Sequence, residues 1–318
     1  MNHYSRPPCN QQVFRNSLLA VATFGLFSLF STFVRLSREE VEVVTVLFTR
    51  FTVGTLIIIL WILRKHSWKN LLPSQNLWLI SCRVLCSWLS FSVFTYVASR
   101  LSVSDVIALQ FSIPLLLAIA ARYLLGEELP LLRKIAIVVG FLGILLVSHP
   151  GGRKEPYIIA LALIACIFAT ASDICVKILS HKISPELIAL YFFVGGAILS
   201  TIWLCNEPQP IPSLHAAMCL FGIAVTGVIA QVLLGIVFSR MPASAVAPFA
   251  YTSYVWSLLF DCAIWGIYPD FLGTLGAICI MADGALAYWS LKGGRSEKDL
   301  HDPNQDYSRS TPPERLRY

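Results

Sequence analysis

Charge is scarce in this chain of 318 residues: charged side chains make up 13% of it and hydrophobic ones 56%, with a mean hydropathy of +0.69. Soluble domains carry about 25% charged residues, so a globular surface in water is excluded. The six histidines fall in tails or at the ends of apolar runs, which leaves no imidazole relay through a membrane. None of the nine cysteines forms a Cys-x-x-Cys pair or a spaced Cys/His set, so no disulfide framework and no metal site is expected. They read as small buried apolar residues. HExxH and GxSxG patterns are missing, and so is the GxxxxGK[ST] loop of an ATP-driven pump. No catalytic residue and no cofactor is expected.

What is present is a succession of apolar runs. A helix crosses the hydrocarbon core in about 20 mostly apolar residues. Ten such stretches are predicted, at 17–35, 41–63, 76–98, 104–125, 133–148, 157–179, 186–205, 214–238, 243–267 and 271–291. Runs such as VLFTRFTVGTLIIILWIL are continuous rather than alternating, which excludes a β-barrel and leaves an all-α integral membrane protein. The first run has no small-residue cleavage pattern before Arg35 and is read as a retained helix.

Lysine and arginine set the orientation. With the N-terminal tail (1–16) inside, cytoplasmic segments hold seventeen of the 24 Lys and Arg, among them Arg64, Lys65, Lys69, Arg133, Lys134 and six in the tail 292–318. The opposite side holds five: Arg35, Arg38, Arg100, Arg153 and Lys154. That bias places both termini in the cytoplasm, in a bacterial inner (plasma) membrane. It also accounts for the net charge of +6 without a nucleic-acid partner. The C-terminal tail is charged, Pro-bearing and poor in apolar residues, and is expected to be disordered.

The chain also repeats itself. SRLSVSDVIAL at Ser99–Leu109 returns as SRMPASAVAPF at Ser239–Phe249, 140 residues later, and Gly126 and Gly266 keep the same offset. Four of the eleven positions are identical: Ser99/Ser239, Arg100/Arg240, Ser104/Ser244 and Val106/Val246. Five crossings per unit is an odd number, so the second copy enters the membrane upside down. Two inverted five-helix repeats, 17–148 and 157–291, with a site near mid-membrane between them, are a transporter design.

The run SCRVLCSWLSFSVFTYVASRLSVSDVIALQFSIPLLLAIAARYLLGEE, followed by GFLGILLVSHPGG, resembles the first repeat of the EamA-type carriers of the drug/metabolite transporter superfamily. ASAVAPFAYTSYVWSLLF and PDFLGTLGAICIM resemble the second. The resemblance covers about 17–291. It implies ten helices, cytoplasmic ends, and uptake or export of small organic metabolites. Relatives with an APFxYTxxxW-like second half include carriers of S-adenosylmethionine and of amino acids. Arg50 and Arg83 match arginine positions of the family. Gly126-Glu127-Glu128 ends the first repeat, whereas Gly266-Ile267-Tyr268 ends the second and lacks the carboxylate, and Asp261 stands where the family has a small residue.

A charge at mid-span costs about 2.5–3.5 kcal/mol on insertion scales, so each polar residue there asks for a role. Arg83 shares a small, polar helical stripe with Ser87 and Ser90, which turns it toward the bundle interior. Arg50 lies near a span end, where snorkelling competes with a gating role. Asp173 and Lys177 are four apart on one face: either they pair, which is structural, or Asp173 meets the cavity and takes a cation or a proton. Tyr251, Tyr254 and Asp261 share one stripe if their span is a continuous helix, an arrangement suited to an amine-bearing ligand. Gln110, one turn before Pro114, and Gln231 need either substrate or a neighbouring helix as partner. Asp283 serves packing or coupling. The expected substrate-binding set is therefore Arg83, Gln110, Asp173, Gln231, Tyr251, Tyr254 and Asp261, with Arg50, Lys177 and Asp283 in coupling or gating. The expected function is secondary transport of an amine-bearing or zwitterionic metabolite, with lipid and a coupling proton as further partners. A membrane scaffold or an intramembrane enzyme is the competing reading.

Overall fold

The computed structural model describes residues 9–37, 40–64, 76–98, 109–148, 156–207, 209–210, 212–266, 268 and 271–301. Residues 99–108, with Arg100 and Ser104 of the first copy of the repeated tract, lie outside the described residues, as do both extreme tails. The described chain is helical: α1 (Cys9–Ser37), α2 (Val43–Arg64), α3 (Leu77–Ala98), α4 (Ser112–Leu124), α5 (Leu131–Ser148), α6 (Pro156–Leu179), α7 (Pro185–Asn206), α8 (Leu214–Arg240), α9 (Ala243–Ala250), α10 (Thr252–Trp265) and α11 (Phe271–His301). Seven helices among the described residues are long and apolar enough to cross a membrane. Leu56, Leu60, Ile198, Ile202 and Phe221 are each more than half exposed. Large apolar side chains turned outward from several helices fit a lipid surround, since lipid gives no reason to hide them.

Local chemistry sets the ends. Ser184 precedes Pro185 at the start of α7, where proline's missing N–H costs nothing. Ser213 caps α8 by accepting from the Ala216 N–H at 3.1 Å. Gly126 and Gly266 both adopt left-handed backbone, φ 66° and 64°, where a Cβ is strained. At Gly126 this lets the Glu127 N–H turn back to the Ala121 carbonyl at 3.1 Å and close α4.

The stretch 243–267 is not the single helix that the sequence predicts. Pro248 removes a backbone donor, and the Tyr251 N–H bonds the Pro248 carbonyl at 3.1 Å in a tight turn. The chain therefore breaks at Tyr251 into α9 and α10. A matching turn falls at Phe111, 140 residues earlier, immediately before α4.

The packing pairs are reciprocal. α1 lies on α8 and α3 on α6; α1 also meets α10, and α4 meets α6; α2 packs against both α7 and α8, and α7 against α3. α5 packs along α11. At the α2–α7 crossing Phe51 fills the space over Gly196, where a Cβ would come within 2.3 Å of its ring. Phe193 does the same over Gly54, at 2.6 Å. The two rings meet edge to face with centroids 6.0 Å apart. Small residues let the helices approach this closely without an apolar driving force from lipid.

Candidate functional site

The interior between α2, α3, α6, α7 and α8 is built around two arginines. Arg83 on α3 is 3% exposed. Its Nη1 donates to Ser172 Oγ at 2.6 Å, and its Nη2 donates to Gln231 Oε1 at 2.6 Å. Ser87, one turn further along α3, shares the Ser172 hydroxyl at 2.6 Å. Thus one guanidinium ties α3 to α6 and α8, and its charge rests on neutral oxygens. Asp173, half-buried on α6, lies within electrostatic reach of it.

Arg50 on α2 is 6% exposed and sits among phenylalanines. Its guanidinium carbon is 4.4 Å from the Phe30 ring centroid, 5.4 Å from Phe51, 5.7 Å from Phe91 and 5.9 Å from Phe192. The Phe192 ring also faces Arg83, at 4.8 Å. Ring faces attract a desolvated cation by about 2 kcal/mol or more each, but they carry no net charge to neutralise it. The Arg50 Nε is buried with no acceptor, and among the described residues no anion pairs with this side chain. Two cations thus share one aromatic wall, and among the described residues the carboxylate in electrostatic reach of Arg83 is Asp173.

The remaining sequence-predicted residues separate. Lys177 turns from Asp173 and donates to the Phe238 and Met241 carbonyls at 2.7 and 2.6 Å, a cation closing the C-terminus of α8. Gln231 joins Arg83, whereas Gln110 is exposed, one residue before the turn at Phe111. The helix break divides the stripe expected of α9–α10. Tyr251 is fully buried against Phe111, Phe141, Tyr254 and Val255, with its hydroxyl unpartnered. Asp261, near the end of α10, accepts from Arg35 Nη1 at 2.7 Å, and Arg35 lies 4.2 Å over the Trp265 ring. Asp283 is fully buried beside Tyr251.

A second constellation escaped the sequence reading, although Gly126-Glu127-Glu128 marked its place. Glu127, after α4, grips the start of α9: Oε1 accepts from the Ala243 N–H at 2.8 Å, and Oε2 accepts from the Ser244 N–H at 2.8 Å and its hydroxyl at 2.7 Å. Arg133 donates to Ser244 Oγ at 2.9 Å and to the Glu128 carbonyl at 3.1 Å. A loop of the first half is thereby clasped to the α8–α9 junction of the second. Cavities of about 510 and 600 Å³ flank this clasp and share Leu125, Glu127, Arg240, Met241 and Pro242. Neither is lined by Arg50, Arg83 or Asp173.

Comparison with known proteins follows the same division of the chain. The EamA-like transporter family matches twice, over residues 16–149 and 156–287. A relative in Rickettsia bellii named as an S-adenosylmethionine uptake transporter is 28% identical over 231 residues, 72% of this chain and 79% of that protein. A pseudopaline exporter of Pseudomonas aeruginosa is 23% identical over 230 residues, 72% of this chain and 80% of that one. A solved crystal structure superposes with a TM-score of 0.76 at 16% identity, covering 86% of this chain and 98% of its own, which speaks for the fold alone.

Proposed function

The chain belongs to the EamA-like transporter family, and on that footing we propose that it is a secondary carrier moving a zwitterionic, amine-bearing metabolite by alternating access between two inverted five-helix halves. It is a multi-pass membrane transporter of small metabolites and not an enzyme, as its family and named relatives are transporters. The inverted arrangement of ten crossings is supported by paired features. The helix turns at Phe111 and Tyr251 and the left-handed Gly126 and Gly266 recur at one offset. The Phe51/Gly196 and Phe193/Gly54 contacts mirror each other, as do the α1–α8 and α3–α6 packings. Exchange of the halves maps these contacts onto one another, as a two-fold axis in the membrane plane requires. The Lys/Arg bias supports cytoplasmic termini in a bacterial plasma membrane.

The observation that carries the substrate class is Arg50, a buried guanidinium among rings with no anion of its own. A substrate carboxylate supplies the missing charge there, while Asp173 beside Arg83 offers its carboxylate to the substrate ammonium. Gln231 and Ser172 hold Arg83 in place through neutral oxygens, so its charge is not cancelled before the ligand arrives. The Phe30, Phe91 and Phe192 faces give the apolar part of the ligand a wall to lie on. Arg83, Asp173 and Gln231 form the core of the binding set, with Arg50 recruited to it. Tyr254 and Gln110 extend it along the path. The Glu127 clasp, with Lys177 below it, closes one end.

The test is flux in proteoliposomes with a panel of L-amino acids, S-adenosylmethionine and polyamines. Saturable flux is expected for compounds with both an α-carboxylate and an amine. It should be lost in Arg50→Gln and retained in part in Arg50→Lys. No saturable flux above empty vesicles across the panel overturns the reading. Equal transport of polyamines, which lack a carboxylate, overturns the role of Arg50.

A further inference from the structure

Where α5, α11 and the α9–α10 break converge, two polar groups are buried without partners. Asp283 on α11 is fully buried, and neither of its carboxyl oxygens has a hydrogen-bond partner. The Tyr251 hydroxyl is in the same condition. Gly140 on α5 admits both: a Cβ there would lie 2.5 Å from the Tyr251 ring and 2.9 Å from Asp283 Oδ2. The Phe111 ring packs on Tyr251 with centroids 5.8 Å apart, so the residues that correspond across the two halves touch over this spot.

We propose that Asp283 is the group that binds the coupling proton of this carrier, and that Tyr251 covers it. The inference rests on the transport reading above and names the ion that drives it. A carboxyl group fully buried with neither donor nor cation on it is far more stable neutral than ionised, so with the junction shut Asp283 holds its proton. Among the described residues, the surroundings supply nothing to hold the anion. From α5 the facing residue is Gly140, while Arg133 at the start of that helix is engaged by Ser244 and the Glu128 carbonyl. From α1, Arg35 pairs with Asp261 of α10, and Arg15 is exposed. From the α9–α10 break the titratable groups are the phenols of Tyr251 and, packed on it, Tyr254. On α11 itself, Cys279 lies one turn before Asp283, and Tyr288 packs against Phe14. No charged side chain among them reaches the carboxyl.

The site lies where the halves meet along α5 and α11, so a rocking motion that parts this seam admits water and lets the proton leave. In the shut seam the proton is trapped. Proton loss is thereby tied to a change of conformation, which is what coupling requires. Asp173, by contrast, has a cation, Arg83, within electrostatic reach.

Two measurements test this on the full chain. Infrared difference spectra of the protein in lipid nanodiscs should show a protonated carboxyl band at neutral pH that Asp283→Asn removes. In proteoliposomes, a one-unit pH gradient coupled to one proton per substrate supports about tenfold accumulation of whichever panel compound is carried. Asp283→Asn should lower that to no accumulation while keeping substrate counterflow exchange, and Tyr251→Ala, which removes the covering ring, should leave the band and weaken its isolation from deuterium exchange. A wild-type spectrum identical to that of Asp283→Asn overturns the proposal, as does undiminished gradient-driven accumulation in the variant. Absence of exchange in the wild type would instead strike at the transport reading, leaving the infrared result to decide the proton site.

Discussion

Glu127→Gln is the substitution that most directly probes the clasp between the halves. The carboxylate takes three hydrogen bonds from Ala243 and Ser244, two of them from backbone N–H groups at the start of α9. A carboxamide has one acceptor oxygen, and its NH2 would face an N–H that it cannot serve. The loss of a charge-assisted bond is worth about 1.5–3 kcal/mol; with the side chain partly exposed, the lower end applies. If the clasp holds in the closed arrangement and parts in the open one, about 1.5 kcal/mol enriches the open arrangement roughly tenfold. Cys175, buried on α6 beside Arg83, reports on this. Its alkylation by a small thiol reagent, quantified by peptide mass spectrometry, should quicken about tenfold in Glu127→Gln and further in Glu127→Ala. Unchanged Cys175 labelling in both variants, at equal thermal stability, would refute the idea that this loop restrains opening.

Other substitutions separate site from scaffold. Arg83→Lys removes the forked contact to Ser172 and Gln231 and should cost flux at least tenfold with the protein still folded, because an ammonium cannot span both oxygens. Gly196→Ala places a methyl 2.3 Å from the Phe51 ring and should destabilise by about 1–3 kcal/mol in thermal unfolding, with partial rescue by Phe51→Leu. Asp261→Asn breaks only the part-exposed pair with Arg35, so a stability change beyond about 1 kcal/mol would contradict its peripheral placement. Between α1 and α2, Glu40 accepts from the Ser213 hydroxyl, which foremost, with His215 beside it, holds its carboxyl below the usual 4.5. A lowered folded value means stability that is complete above pH 4.5 and lost as pH falls through the lowered value. Glu40→Gln should therefore flatten that acid limb of the unfolding curve.

Sequence alone determined the solvent, the helical class and the repeat. Apolar content and continuous runs are properties of composition and period, and they survive any arrangement of the helices. The offset of 140 was legible because Gly126 and Gly266 meet the same backbone demand. The inward turn of Arg83 was readable from Ser87 and Ser90 on its face, since helical neighbours are fixed by local geometry. Partners across the bundle were another matter. Whether Lys177 served Asp173 or something else depended on where the α8 carbonyls ended, and the tertiary structure gave it Phe238 and Met241. The stripe through Tyr251, Tyr254 and Asp261 presumed an unbroken helix, and Pro248 with the turn at Tyr251 sent its members to different neighbourhoods. The phenylalanine box around Arg50 draws on α1, α2, α3 and α7, and the Glu127 clasp closes over more than a hundred residues of chain. Period and composition say which face of a helix is wet or dry; only the packing of one helix on another decides which charge meets which oxygen.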